Sequence, residues 1–181
     1  MSTSTARLDS RRNEAAAVIR QAGLVVTAAE EATIEIADLG LGDFERQGLA
    51  ILVYVNTDRC CAKELVMWPG QTCPEHRHPP VGDDPGKEET FRCRWGSVTL
   101  YVAGDSTPSP RCTPPGGVEA YTVGHEVHLL PGDQYTIQPN ILHWFQAGRE
   151  GAVVSEFSTR STDEHDVFTD QAIRRVPELA R

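Results

Sequence analysis

From Ser10 to Ala22 the apolar residues Ala15, Ala16, Val18, Ile19 and Ala22 recur near helical spacing, and Gly23 stands where such a helix would end. Thr27-Ala-Ala-Glu30 has the form of a capping box and predicts a second short helix. Beyond Glu31 the period changes. Gly and Pro punctuate the chain at short intervals, and β-branched and aromatic residues fill the gaps. The strands predicted are Ala32–Ile36, Leu49–Tyr54, Cys61–Trp68, Thr90–Trp95, Val98–Val102, Glu119–Val123, Glu126–Leu130, Tyr135–Ile137, His143–Ala147 and Ala152–Ser158. Turn signals at Pro69-Gly70, Pro85-Gly86, Gly96, Gly104-Asp105, Pro131-Gly132 and Pro139-Asn140 separate many of them. Short strands without intervening long helices predict an all-β sandwich or barrel behind short N-terminal helices. Gly104 to Gly117 reads as an exposed loop, and Phe168 to Arg181 as a short helix interrupted at Pro177.

Composition narrows the partners more than the fold. A chain of 181 residues fits one domain. We divide it into a helical extension over 1–31, a barrel over 32–169 and a tail over 170–181. Seventeen Lys and Arg against 26 Asp and Glu leave a net charge of −9, which argues against nucleic acid or an anionic membrane as the main partner. The opening residues lack the apolar core of a secretory leader, and no window approaches a membrane span. Cys60, Cys61, Cys73, Cys93 and Cys112 are odd in number and lack paired CxxC spacing, so they read as reduced thiols of a cytoplasmic protein.

The chemistry concentrates between Gly70 and Gly96. His76 and His78 are two apart, so on an extended strand both project from one face. Glu89 adds an anionic oxygen and His143 a third imidazole from a distant strand. Mn²⁺, Fe²⁺, Co²⁺ and Zn²⁺ all accept such mixed nitrogen and oxygen donors. Gly70, His76-x-His78, Glu89 and Gly96 match the first cupin motif, in which two histidines and a glutamate bind metal. Gly132, Pro139 and His143 resemble the second, although Asn140 takes the usual Gly place. Asn tolerates the left-handed conformation, so the turn can survive. His125 and His128 lack comparable spacing and read as structural or solvated; His165 lies in a polar segment and stays open.

CPEHRHPP, GKEETFRCRWG, YTIQPNILHWFQAG and STDEHDVFTD together resemble bacterial D-lyxose ketol-isomerases from about Gly23 to Asp170. That resemblance implies a single cupin barrel of the double-stranded β-helix (jelly-roll) type. It also implies a manganese-type site on His76, His78, Glu89 and His143. The reaction implied is interconversion of D-lyxose and D-xylulose, with D-mannose and D-fructose as alternatives.

An aldose–ketose isomerase moves a proton between C2 and C1 through an enediolate that a metal can stabilise. Four protein ligands on an octahedral ion leave two positions free and on tetrahedral zinc none, which favours Mn²⁺. Glu156, in GAVVSEFST, is the candidate base: a carboxylate among apolar strand residues suits proton abstraction. Lys87, two before Glu89, is a candidate donor to a sugar oxygen, and Asp166 a candidate for a distal hydroxyl or a proton relay. Phe91, Trp144 and Phe145 read as barrel wall, and Arg92 and Arg94 as outward-facing. Two other readings share the donor set: an Fe²⁺ cupin dioxygenase, and a sugar-binding cupin without catalysis. A homodimer paired through outer strands follows from fold analogy.

Overall fold

The computed structural model describes residues 3–175. Helix α1 (Thr3–Gln21) buries Ala15, Ala16 and Ile19 on one face. It begins earlier than the apolar spacing predicts, because i,i+3 pairs of Arg12 with Asp9 and Arg11 with Glu14 support turns that bury little. Leu24 N–H donates to Ile19 O and Gly23 N–H to Arg20 O, while Gly23 takes φ +81°, so the helix closes in a Schellman turn. Helix α2 (Ala28–Thr33) opens with both bonds of the expected capping box: Glu30 N–H donates to Thr27 Oγ1, and Thr27 N–H to Glu30 Oε2.

Nine described strands follow: β1 (Glu35–Ala37), β2 (Leu49–Asn56), β3 (Cys61–Met67), β4 (Thr72–Arg77), β5 (Glu89–Val102), β6 (His125–Leu129), β7 (Gln134–Ile137), β8 (His143–Ser158) and β9 (Val167–Phe168). Every pairing between them is antiparallel. One path runs β1-β2-β3-β8-β4-β9, while β5 joins β6, β7 and β8. The sheet curls into the barrel of the double-stranded β-helix type that the motifs imply. Its inner face carries Leu49, Ile51, Leu65, Met67, Phe91, Leu100, Phe145 and Val154. The alternate residues Ala50, Leu52 and Val66 face out and are covered by Ala15, Ala16 and Ile19 of α1. Burial on both faces explains the apolar runs Leu49–Leu52 of β2 and Leu65–Met67 of β3, and each large apolar side chain there contributes about 2 kcal/mol.

The long ribbon β5–β8 organises the barrel. Glu89 pairs with Ser158 at one end and Val102 with His143 at the other. Straight, a strand of that length would span roughly 45 Å. Register shifts between Cys93 and Trp95 and between Gly96 and Val98 bend it instead. At the bend Gly96 has φ +68° and Gly151 φ +91°, and a Cβ on Gly96 would lie 2.1 Å from Gly151 O. Gly96 can pass the Gly151 backbone this closely because it has no side chain, and a Cβ on Gly151 would itself lie 2.7 Å from Met67 O on β3.

Several predicted boundaries change. Thr90–Trp95 with Val98–Val102, and His143–Ala147 with Ala152–Ser158, are each one bent strand, because the glycines bend the ladder without ending it. Ala32 and Thr33 finish α2, so β1 starts at Glu35. Thr72–Arg77 is a strand despite Pro74, which sits where the register to β8 shifts. Glu119–Val123 is not a strand. Val118–Ala120 forms a 3-10 turn, and the amides of Thr122 and Val123 donate to the Glu75 carboxylate instead of to a neighbouring strand. Of the helix expected over Phe168–Arg181, the part beyond residue 175, including Pro177, lies outside the described residues; the described part holds β9 and turns. Among the described residues no helix is long and apolar enough to cross a membrane.

Gly96→Ala should destabilise the protein by at least about 3 kcal/mol in urea unfolding. Gly70 has nearly the same φ, +70°, with nothing within 4 Å of the place an added methyl would take, so Gly70→Ala should cost only about 1–2 kcal/mol. Equal losses would show that the close passage at Gly151 does not constrain the ribbon.

Candidate functional site

The fold delivers four side chains from three stretches to one point inside the barrel. His76 of β4 and His143 of β8 are direct cross-strand partners, with ring centroids 4.3 Å apart. His78 follows one residue past β4, and its ring lies 5.0 Å from His76 and 5.3 Å from His143. Glu89, the first residue of β5, pairs in register with Ser158, yet its Oε1 lies 3.0 Å from His143 Nε2 and 3.2 Å from His78 Nε2. All four residues are buried. The turn before His143 keeps its shape: Asn140 adopts φ +62° and its N–H donates to His78 O at 3.1 Å, tying the two stretches together.

The orientation of the imidazoles follows from what surrounds them. Nδ1 of His76 meets Pro74 O at 2.7 Å, Nδ1 of His143 meets Ile141 O at 2.9 Å, and Nδ1 of His78 meets an Asp166 oxygen at 2.5 Å. A carbonyl oxygen only accepts, so His76 and His143 carry the proton on Nδ1 and present Nε2 as a lone pair. His143 Nε2 is fully buried without a hydrogen-bond partner, although the Glu89 oxygen is close. A lone pair facing a carboxylate oxygen is repulsive unless positive charge sits between them. Burial and then the neighbouring His143 and His78 push His76 well below its usual pKa. Burial opposes charge on His78 most, but the Glu89 carboxylate together with the hydrogen bonds to Asp166 and Glu89 outweighs it and pushes that pKa up to about 9. The donor set therefore fits a divalent cation: three imidazole nitrogens within 4.8 Å of one another beside one carboxylate.

Beside this cluster lies a second one of buried charges. Glu156 on β8 is the cross-strand partner of Lys63 on β3 and of Phe91 on β5. Its Oε1 accepts from Lys87 Nζ at 3.0 Å and lies 3.5 Å from Lys63 Nζ. Lys87 Nζ also lies 2.9 Å from Glu89 Oε2 and 3.3 Å from Asp163 Oδ1. Burial opposes charge on Lys87, yet Glu156, Glu89, Asp163 and Asp166 hold its pKa well above the usual value. The turn before Lys87 packs tightly, since a Cβ on Gly86 would lie 2.5 Å from His78 O. The sequence sets Glu156 among apolar strand neighbours; in the folded chain ammonium groups surround its carboxylate instead. Lys87 precedes β5 rather than extending it, but its side chain still meets Glu89.

The remaining candidates separate cleanly. Phe91 and Phe145 meet edge to face and wall the cavity, whereas Trp144 stacks on Tyr101 and donates to Val123 O. His125 contacts Asp105 O, His128 contacts Thr99 Oγ1, and His165 is half exposed in a 3-10 turn. Arg92 bonds Gln134 and Arg94 is exposed. All five cysteines are free. Sequence reasoning missed Lys63, Asp163, Glu75 and Phe168. Lys63 left one signal, its parity with Leu65 and Met67 on the inner face of β3. Asp163 comes from a 3-10 turn and left none. Phe168 stacks on His76, and Glu75 anchors the segment that carries it: its fully buried carboxylate accepts from Thr122 N, Thr122 Oγ1, Val123 N and Thr169 Oγ1. The cavity between the clusters is about 40 Å³, and Lys63, Asp163 and Arg175 separate it from an outer pocket of about 300 Å³.

Known proteins resemble this chain in sequence and in fold. A family model described as D-lyxose isomerase matches residues 20–181. A D-lyxose/D-mannose isomerase of Thermosediminibacter oceani is 64% identical over 162 residues, 89% of this chain and 90% of that protein. A D-lyxose ketol-isomerase of Cohnella laeviribosi is 57% identical over 167 residues, 92% of each. Among solved structures, L-ribose isomerase of Acinetobacter sp. DL28 in complex with L-ribose superposes with a TM-score of 0.78 at 17% identity, over 91% of this chain and 92% of that one. At that identity the likeness is one of fold.

Removing the Glu75 carboxylate strands the two amides and two hydroxyls it accepts from. Glu75→Ala should cost about 3 kcal/mol and speed hydrogen exchange at Thr122 and Val123 before other barrel amides. Unchanged exchange at those two amides would contradict the anchoring role.

Proposed function

The chain belongs to the D-lyxose isomerase family, and from that premise we propose that it interconverts D-lyxose and D-xylulose, with D-mannose and D-fructose as a second pair. The observation that carries this reading is the meeting of unpartnered His143 Nε2, two further imidazoles and Glu89 with an ion-paired Glu156 in one buried cavity. The relative named for both D-lyxose and D-mannose supports the second pair.

His76, His78, Glu89 and His143 would hold a divalent cation, with Mn²⁺ preferred and Co²⁺, Fe²⁺ or Zn²⁺ as other occupants. When bound, such an ion supplies Lewis-acid polarisation of a carbonyl oxygen and stabilises negative charge that develops beside it. The chain's own groups do the rest. The Glu156 carboxylate takes the proton from C2 of the open-chain aldose, and the electrons of that bond form the C1–C2 double bond of an enediolate. Glu156 then returns the proton to C1, while the hydroxyl proton of O2 moves to O1 and C2 becomes the carbonyl. Lys87 remains an ammonium and donates hydrogen bonds to the oxygen that gains charge. Asp166, expected to meet a distal hydroxyl or relay a proton, accepts from His78 Nδ1 and in this reading orients that imidazole. Forty cubic ångströms is far below the roughly 300 Å³ and more of ordinary ligand pockets, so sugar entry requires the cavity to widen. The reading includes a cytoplasmic homodimer, by analogy of fold.

Incubated with Mn²⁺ and D-lyxose under nitrogen, the protein should accumulate D-xylulose; dialysis against a chelator should stop turnover, and added metal should restore it. No ketose from any sugar in a pentose and hexose panel would defeat the isomerase reading, and product that requires oxygen would favour a dioxygenase. His76→Ala and His143→Ala should each weaken metal binding at least about 10-fold in equilibrium dialysis. Glu156→Gln should retain metal and lower kcat by about 10²- to 10⁴-fold, and near-normal turnover would move the base elsewhere.

A further inference from the structure

During turnover Glu156 alternates between charged and neutral, and its surroundings must hold still through both states. All three polar contacts to its carboxylate among the described residues fall on Oε1: Lys87 Nζ at 3.0 Å, Ser158 Oγ at 3.3 Å and Lys63 Nζ at 3.5 Å. Oε2 is left as the oxygen that can receive a proton. Two buried ammonium groups share Oε1, and each repels the other whenever Glu156 is neutral. Asp163 faces both of them, with Oδ2 at 2.7 Å from Lys63 Nζ and Oδ1 at 3.3 Å from Lys87 Nζ. Ser161 Oγ fixes that carboxylate, donating to Asp163 Oδ1 at 2.5 Å while accepting from Lys63 Nζ at 2.8 Å.

We propose that Asp163, acting through Lys63 and Lys87, is a positioning residue that keeps the Glu156 carboxylate in one orientation through the proton-transfer cycle. The inference rests on Glu156 being the proton carrier. Asp163 is suited to the task because it keeps its charge: burial opposes ionisation, but Lys87 and Lys63 outweigh it and hold the carboxyl well below the usual range. Its cross-bridge also explains why Lys63 occupies an inward position beside Leu65 that an apolar residue would otherwise fill. Arg175 approaches the same Oδ2 at 3.4 Å from the outer side, so the bridge is braced from the pocket as well as from the barrel.

The test compares Asp163→Asn, Lys63→Met and the double variant in the Mn²⁺-loaded enzyme, with Glu156→Gln alongside. Asp163→Asn should lower kcat about 10- to 100-fold with KM within about 2-fold and metal content unchanged. The double variant should be no slower than the slower single one, because residues acting as one unit do not add. Unchanged kcat in Asp163→Asn overturns the proposal, as does a loss confined to KM, which would make Asp163 a sugar contact. Additive losses in the double variant also overturn it. Should Asp163→Asn fail to fold, Ser161→Ala provides the second measurement, with an expected loss of about 3- to 10-fold in kcat and none in KM; full activity there counts against the proposal. An active Glu156→Gln would instead bring down the parent reading, whereas an inactive Glu156→Gln beside a normal Asp163→Asn would remove this inference alone.

Discussion

The bend in the β5–β8 ribbon is the constraint on which the site depends. Register places Glu89 opposite Ser158 and His143 opposite Val102, at the two ends of the ladder. A straight ribbon would hold these groups tens of ångströms apart. Passage of Gly96 against Gly151 folds the ladder on itself, and Glu89 Oε1 arrives 3.0 Å from His143 Nε2. The antiparallel partner β4, after its own register shift at Pro74, then aligns His76 with His143 directly. One close backbone contact thus converts a linear arrangement of ligands into a convergent one.

Convergence places many charges in a small dry volume. Lys63, Lys87, Glu89 and Glu156 are all almost completely buried. Isolated, each would carry a desolvation cost of several kcal/mol, so each must have partners of opposite sign. The lysines find Glu156, Glu89 and Asp163, and His78 finds Glu89 and Asp166. Among the described residues His143 Nε2 is the exception, a buried polar atom with no hydrogen bond. The structure thus gathers imidazole nitrogens and a carboxylate at one point and buried ammonium groups next to it. Metal-assisted enolisation chemistry needs that combination.

The fold alone would not assign this chemistry. The L-ribose isomerase likeness at 17% identity is a likeness of barrels, and barrels of this type host unrelated reactions. What narrows the reading is the site together with relatives at 57–64% identity across nearly the whole chain. The outer layer shows the same division of labour. Helix α1 stabilises the barrel through Ala15, Ala16 and Ile19 on the far side of β2 and β3, and contributes nothing to the cavity.

Much was determined by the sequence itself. Alternation and turn residues predicted an all-β sandwich or barrel, Thr27 and Glu30 the second helix, and the spacing around His76, His78, Glu89 and His143 a group of side chains that the fold brings together, because these signals are local or repeat a short period. The tertiary structure alone decided what meets Glu156. Lys63 carries only a parity signal, Asp163 sits in a turn with no periodicity, and Glu75 lies outside the strands the pattern predicts. Their roles arise from contacts between stretches some 50 to 100 positions apart, where the bend of the ribbon and the register of β3 against β8 set the distances. No window of neighbouring residues encodes such distances, since electrostatic partners in a closed barrel are chosen by the closure.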